Sequence, residues 1–167
     1  MKRIICLSVI LLCAATFAFA QGGSGRVTKK KKPVAKKIDS QIAEAEKVWI
    51  SFWKEFTKAV KNNDNDSFYE MVAEEYDASG LYRNNENCRN FADGRKEFFC
   101  LLREQENSLA NEFSWVFERR LKLMNIEKSS EKINRFVKYS NDTYRFAEFI
   151  YKANGKWYLI NSGSGGA

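Results

Sequence analysis

RFVKYSNDTYRFAEFIYKANGKWYLINS, residues 135–162, is the stretch that decides the fold. Two turn signals, Asn141-Asp142 and Asn154-Gly155, divide it into three segments rich in aromatic and β-branched residues. Asn-Gly favours the positive φ angles of a type I′ turn, and Asn-Asp can form a similar two-residue turn. The stretch therefore predicts a three-stranded antiparallel meander.

Two-residue turns fix which side chains share a face of the sheet. They pair Arg135 with Glu148 and Glu148 with Asn161, and so predict a polar cluster across three strands. The same face is expected to carry seven further side chains: Val137, Tyr139, Tyr144, Phe146, Ile150, Trp157 and Leu159. The opposite face is expected to carry Phe136, Ala147, Phe149, Tyr151, Tyr158 and Ile160. Since both faces are largely apolar, helices from the preceding chain must cover at least one of them.

The N-terminal residues 1–20 are predicted to form a signal peptide. Lys2 and Arg3 precede an apolar run, and Ala18-Phe19-Ala20 has the small-x-small pattern of a signal-peptidase site. We expect cleavage after Ala20 and a periplasmic or secreted protein. An uncleaved membrane anchor is the alternative, although the apolar run is short for a transmembrane helix.

Residues 21–37 form a basic segment with little apolar content, which predicts a disordered linker. Nine of the 28 basic residues precede Ile38 and all 21 acidic residues follow it, so 19 basic residues leave the remainder at −2 although the chain is +7. The segment is either a solvated spacer or an attachment to an anionic envelope surface. The attaching lysines would be Lys29, Lys30, Lys31, Lys32, Lys36 and Lys37. Export argues against a nucleic-acid partner.

Three helices are predicted before the sheet. The first is capped by Asp39 or Ser40, carries an aromatic stripe and ends at Asn62-Asn63-Asp64. A short second helix starts at Asn65 or Asp66 and ends near Tyr76, and Asp93 caps a third helix. Residues 77–90 are a loop. Residues 112–127 fit both a strand and a helix, and we predict a strand that completes a four-stranded sheet.

Two cysteines remain after removal of the signal peptide, Cys88 and Cys100. An oxidising compartment makes a disulfide between them the expected state, and closing so short a loop is worth about 3 kcal/mol in the chain-entropy model. A redox role has no support in the spacing, which is not CxxC. With no histidine in the chain, no metal site is predicted.

The order of these elements resembles the nuclear-transport-factor-2-like superfamily, SnoaL-like branch included. The residues that carry the resemblance are FTKAVKNNDNDSFYEMVAEEYDA, residues 56–78, and the ending YKANGKWYLINSG, residues 151–163. It covers residues 38–162 and implies an α+β fold in which three helices pack on a curved, cone-like sheet that encloses a pocket. It also implies a possible homodimer through the sheet. Residues 163–167 are expected to be a flexible tail.

The sequence therefore predicts a non-catalytic exported domain that binds a small apolar or amphipathic ligand, or an envelope partner, in a sheet-lined pocket. The candidate binding residues are Arg135, Tyr139, Tyr144, Glu148, Trp157 and Asn161. A cross-strand ion pair is the alternative role for Arg135 and Glu148. The alternative function is a lyase or isomerase that needs no cofactor and uses carboxylate and tyrosine groups in the same pocket.

Overall fold

The computed structural model describes residues 34–80, 86–88, 91–140 and 143–166. All of these residues belong to one compact unit, which spans residues 32–167. The expected signal peptide and residues 21–33 of the expected linker lie outside the described residues.

The first helix, α1, spans Val34–Asn62. It begins before the predicted cap at Asp39 or Ser40, so the last four residues of the expected linker are helical. Five residues of its predicted apolar stripe are buried, together with Ala59: Ala45, Trp49, Phe52, Phe56 and Val60. Ile42 and Trp53, the other two, are partly buried. The helix ends where the sequence predicts, because Asn63 adopts a φ of 53° and leaves the helical conformation. The Asn63 side-chain oxygen then accepts a hydrogen bond from the Leu109 N–H at 3.0 Å.

The second helix, α2, spans only Asn65–Tyr69, and its first turn is capped by Asp64. The prediction that it extends to Tyr76 was wrong, because Val72–Asp77 forms strand β1. This strand lies beside a segment near the C-terminus, where the Leu159 N–H donates to the Met71 carbonyl at 2.8 Å. The spacing of apolar residues within a short window cannot predict a hydrogen bond to a residue so distant in the sequence.

The segment between β1 and the meander is mainly helical. Helix α3 spans Gly94–Glu104 and is capped by Asp93, as predicted. Helix α4, Leu109–Glu112, is followed by a 3₁₀ helix over Ser114–Phe117. Strand β2 then spans Leu121–Ser129. The strand predicted for residues 112–127 is therefore correct only in its second half, and the helical pattern was right for the first half.

The sheet contains five strands, not four. Strands β3 (Lys132–Ser140), β4 (Thr143–Tyr151) and β5 (Trp157–Gly166) complete it, and the strand order is β1-β5-β4-β3-β2. The α+β class is confirmed, but the sheet is mixed, because β1 runs parallel to β5. The expected flexible tail is also corrected: residues 163–166 pair with residues 143–146, since backbone hydrogen bonding needs no side chains.

The two faces of the sheet differ in what they contact. The first face packs against α1: the ring centroid of Trp49 lies 5.0 Å from that of Trp157 and 5.3 Å from that of Phe149. Cross-strand pairing places Ile133, Arg135, Val137, Tyr139, Ala147, Phe149, Tyr151, Trp157 and Leu159 on this first face. The second face carries Asn134, Phe136, Lys138, Tyr144, Phe146, Glu148, Ile150, Tyr158 and Asn161.

Candidate functional site

The register of the meander separates the predicted polar cluster. Arg135 lies opposite Phe149, and Glu148 lies opposite Phe136, so the predicted Arg135–Glu148 pair was wrong. The β3–β4 register differs from the predicted one by one residue, and a shift of one residue moves every side chain to the other face. The Glu148–Asn161 pair is confirmed, because an irregularity next to Phe149 shifts the β4–β5 register by one residue.

Arg135 is buried on the first face and already has partners. Its Nε donates to the Met124 carbonyl at 3.0 Å, and its Nη1 lies 3.3 Å from both carboxylate oxygens of Glu46. The guanidinium carbon lies 4.7 Å from the centre of the Trp49 ring. Arg135 therefore joins β3 to α1 and β2, and an anionic ligand would have to displace Glu46.

Side chains pack closely where the first face of the sheet meets α1. Trp157 is only 2% exposed, and its Nε1 donates to the Ala45 carbonyl at 2.9 Å. Tyr139 packs against the same core. Of the six candidate binding residues, Arg135, Tyr139 and Trp157 lie on the first face, whereas Tyr144, Glu148 and Asn161 lie on the second.

A polar cluster of Asn134, Glu148 and Asn161 spans three strands on the second face. Asn134 Nδ2 donates to Glu148 Oε1 at 2.8 Å. Within the described part of the chain, Asn134 Oδ1 and Asn161 Oδ1 are buried and have no hydrogen-bond partner. Burial raises the pKa of the Glu148 carboxyl above its ordinary value, although the Asn134 hydrogen bond and Lys132 oppose the shift. A buried hydrogen-bond acceptor without a donor lowers the stability of the fold, so this cluster is a candidate functional site.

Partly exposed aromatic side chains surround this second-face cluster. They are Phe136, Tyr144, Phe146 and Tyr158. The rings of Tyr144 and Phe146 stack with their centres 5.8 Å apart. The sequence predicted Glu148, Asn161 and Tyr144 as binding residues but not Asn134, because the predicted register placed Arg135 beside Glu148 instead.

A groove of about 500 Å³ lies between α1, α2 and the start of β5. Its floor is apolar and is formed by Val48, Phe52, Ala59, Met71, Trp157 and Tyr158. Trp157 borders this groove, which lies at one end of the sheet and not across the predicted face. Most of the rim residues lie on α1 and α2, so the groove arises from the way these helices meet β5 and has no local sequence signal.

The rim of the groove carries charges of both signs: Glu55, Lys58, Asp64, Glu70 and Lys156, beside the hydroxyls of Ser51 and Ser67. Asp64 is already engaged, because its two carboxylate oxygens accept from the backbone N–H and the hydroxyl of Ser67 at 3.0 and 2.7 Å. These hydrogen bonds from Ser67 lower the pKa of Asp64. The groove therefore presents an apolar floor beneath a mixed charged rim.

A hydrogen-bonded network holds α2 against β1 and α3 beside the groove. Arg95 donates to both carboxylate oxygens of Asp93 at 2.9 Å and to Glu74 at 3.1 Å. The Tyr69 hydroxyl donates to Asp93 at 3.2 Å, and the Arg95 guanidinium lies 4.7 Å from the centre of the Tyr69 ring. The hydrogen bonds from Arg95 lower the pKa of Asp93 to about 2. This network fixes the helix that carries Ser67.

The predicted cysteine pair is confirmed, since the sulfurs of Cys88 and Cys100 lie 2.06 Å apart, at disulfide distance. The bond ties residues 86–88, a 3₁₀ helix, to α3. Among the described residues, no group of three or more histidine, cysteine, aspartate and glutamate side chains is placed to hold a metal ion. In the same part of the chain, no helix has the length and apolar character to cross a membrane.

The chain matches no protein-family model, no curated protein and no solved structure.

Proposed function

We propose that this protein is a non-catalytic exported domain that binds a small apolar or amphipathic ligand in the groove between α1, α2 and β5. The observation that carries the proposal is the groove itself, about 500 Å³ in volume. Ligand sites commonly have volumes of 300–1,000 Å³ and are mostly apolar, with a few polar groups that orient the ligand. The groove has this combination.

The groove favours a ligand with an apolar body and a polar head. Val48, Met71 and Tyr158 in the floor are partly exposed, and they offer apolar surface to an aliphatic or aromatic body. Lys58 and Lys156 can pair with an anionic head, and Glu55 and Glu70 can pair with a cationic one. An amphipathic or zwitterionic molecule therefore satisfies both the floor and the rim.

We also propose that the chain belongs to the nuclear-transport-factor-2-like superfamily and shares its cone-like shape. The support is the order of a long helix, a short helix, strand β1, a third helix and a meander whose last strand follows the NGKW turn, with α1 on one face of the sheet. The homodimer implied by this resemblance stays a prediction. It would cover the second face, and sedimentation analysis would test it.

Export and attachment to an anionic surface are further proposals. They rest on the signal-like residues 1–20 and on Lys29, Lys30, Lys31, Lys32, Lys36 and Lys37. N-terminal sequencing of the exported protein tests cleavage after Ala20. Sedimentation with anionic and with neutral lipid vesicles tests the lysines, each of which contributes about 1 kcal/mol near an anionic surface.

A cofactor-independent lyase or isomerase is the second candidate function. The observation that favours it is the Glu148 carboxyl, whose pKa is raised by burial, as in carboxyl groups that act as general acids or bases. Tyr144 lies on the same face of the same strand. Turnover that is lost in Glu148→Gln, with a pH–rate profile that follows one carboxyl group, would support this candidate over simple binding.

Native mass spectrometry of the mature protein, purified from an oxidising compartment, tests the binding proposal. A small mass that co-purifies with the protein and is released by organic solvent is expected. The Ser51→Trp variant, which places an indole in the groove from an exposed helix position, should lose that mass. Retention of the same mass in Ser51→Trp would contradict binding in the groove.

A further inference from the structure

We infer that Asn134, Glu148 and Asn161 on the second face of the sheet form a binding site for the primary ammonium group of a small amphipathic amine. Its three polar side chains lie outside the groove between α1, α2 and the start of β5, although Tyr158 borders both. The test of this inference is therefore independent of the test of the proposed function.

The register brings the three side chains together. Glu148 and Asn161 are direct cross-strand partners on β4 and β5, which places their Cβ atoms about 4.5–5.5 Å apart on the same face. Asn134 approaches from β3 and donates to Glu148 Oε1 at 2.8 Å. This hydrogen bond holds Glu148 in place beside Asn161.

The cluster offers acceptors in excess of donors. Within the described residues, Asn134 Oδ1 and Asn161 Oδ1 are buried without a partner, and the second Glu148 oxygen is a third acceptor. A primary ammonium group carries three N–H donors and no acceptor, so it matches this set. A hydroxyl group supplies one donor and a water molecule two, and neither compensates the Glu148 charge.

The surroundings favour an ammonium group that is attached to an apolar body. Partly exposed rings of Phe136, Phe146 and Tyr158 lie on the same face, and a cation gains from the face of an aromatic ring. Lys138 on the same face makes contacts of this kind, because its Nζ lies 5.7 and 5.9 Å from the ring centres of Phe136 and Tyr144. An alkyl chain on the amine would pack against the rings.

Titration of the full chain with hexylammonium, followed by calorimetry and by the side-chain amide NMR signals of Asn134 and Asn161, tests this inference. We expect saturable binding that shifts both signals. Glu148→Gln should weaken binding roughly tenfold or more, because a hydrogen bond to a charged group is lost. Hexanol, which has the same chain without the charge, should bind more weakly than hexylammonium.

Two control variants separate binding at this cluster from binding elsewhere on the chain. Glu118→Gln, an exposed change between the 3₁₀ helix and β2, should leave hexylammonium binding unchanged, and so should Ser51→Trp in the groove. Equal affinity of Glu148→Gln and wild type for hexylammonium, with both proteins folded by circular dichroism, would overturn the inference. Absence of binding to the wild type, with a dimer that dissociates in Glu148→Gln, would overturn it too and assign the face to self-association.

Discussion

Asn134 on β3 donates a hydrogen bond from Nδ2 to Oε1 of Glu148 on β4, at 2.8 Å. This contact crosses the strand pair diagonally, since Asn134 lies opposite Ile150 and Glu148 opposite Phe136. It concentrates polar groups at the centre of a sheet face that is otherwise rich in aromatic residues. A carboxyl group in such a place costs stability, and that cost can be measured.

Glu148→Gln should stabilise the protein near neutral pH. Burial raises the pKa of Glu148 in the folded state, so the folded state disfavours the ionised form relative to the unfolded chain. For the wild type, the free energy of unfolding therefore falls as pH rises from the unfolded pKa, about 4.3, through the folded pKa. Glutamine keeps the acceptor for Asn134 and does not ionise. Urea unfolding should show an advantage at pH 7 that disappears below about pH 4, and a variant less stable than wild type at pH 7 would contradict this.

Asp93→Asn should destabilise the protein at neutral pH and much less in acid. The pKa of Asp93 is lowered to about 2 by Arg95, so its contribution is complete above the unfolded pKa of about 3.9 and is lost as pH falls towards 2. We expect a loss of about 1–2 kcal/mol at pH 7, discounted for partial solvent exposure. Thermal unfolding from pH 2 to 7 measures it. The exposed Glu118→Gln change is the control and should show no comparable difference between pH 7 and acid.

Gly94→Ala should destabilise the junction between α3 and β1. A Cβ atom at Gly94 would lie 2.2 Å from the Tyr76 carbonyl oxygen and 2.9 Å from its nitrogen. These are backbone atoms, so the helix or the strand must shift, at a cost of about 1–3 kcal/mol or more. Gly165→Ala is the matched control, because a Cβ there meets nothing within 4 Å. Equal stability of the two variants would show that α3 and β1 do not approach so closely.

The long amphipathic helix and the three strands of the meander were predictable because their signals are local. Trp49, Phe52 and Phe56 recur at helical spacing, and Asn63 supplies the positive φ that ends α1. Asp93 is a recognisable cap for α3. The cysteine pair was predictable because only Cys88 and Cys100 follow the expected signal peptide.

The candidate sites were harder to predict because they depend on register and on long-range contacts. The N–H of Lys152 donates to the Lys156 carbonyl at 2.9 Å, so the loop at Asn154-Gly155 holds three residues where two were predicted. That single residue decides which face a side chain occupies. Strand β1 exists through its pairing with β5, and the groove exists only where α1 and α2 meet β5. Neither of these contacts is present in any local window of the sequence.

The most direct test of groove binding compares Ser51→Trp with Lys54→Trp in a titration with anilinonaphthalene sulfonate. Both positions are exposed on α1, but only Ser51 lines the groove. If the ligand binds between α1, α2 and β5, the wild type and Lys54→Trp should bind the probe with similar affinity, and Ser51→Trp should lose at least tenfold. Equal binding by the two tryptophan variants would contradict the account.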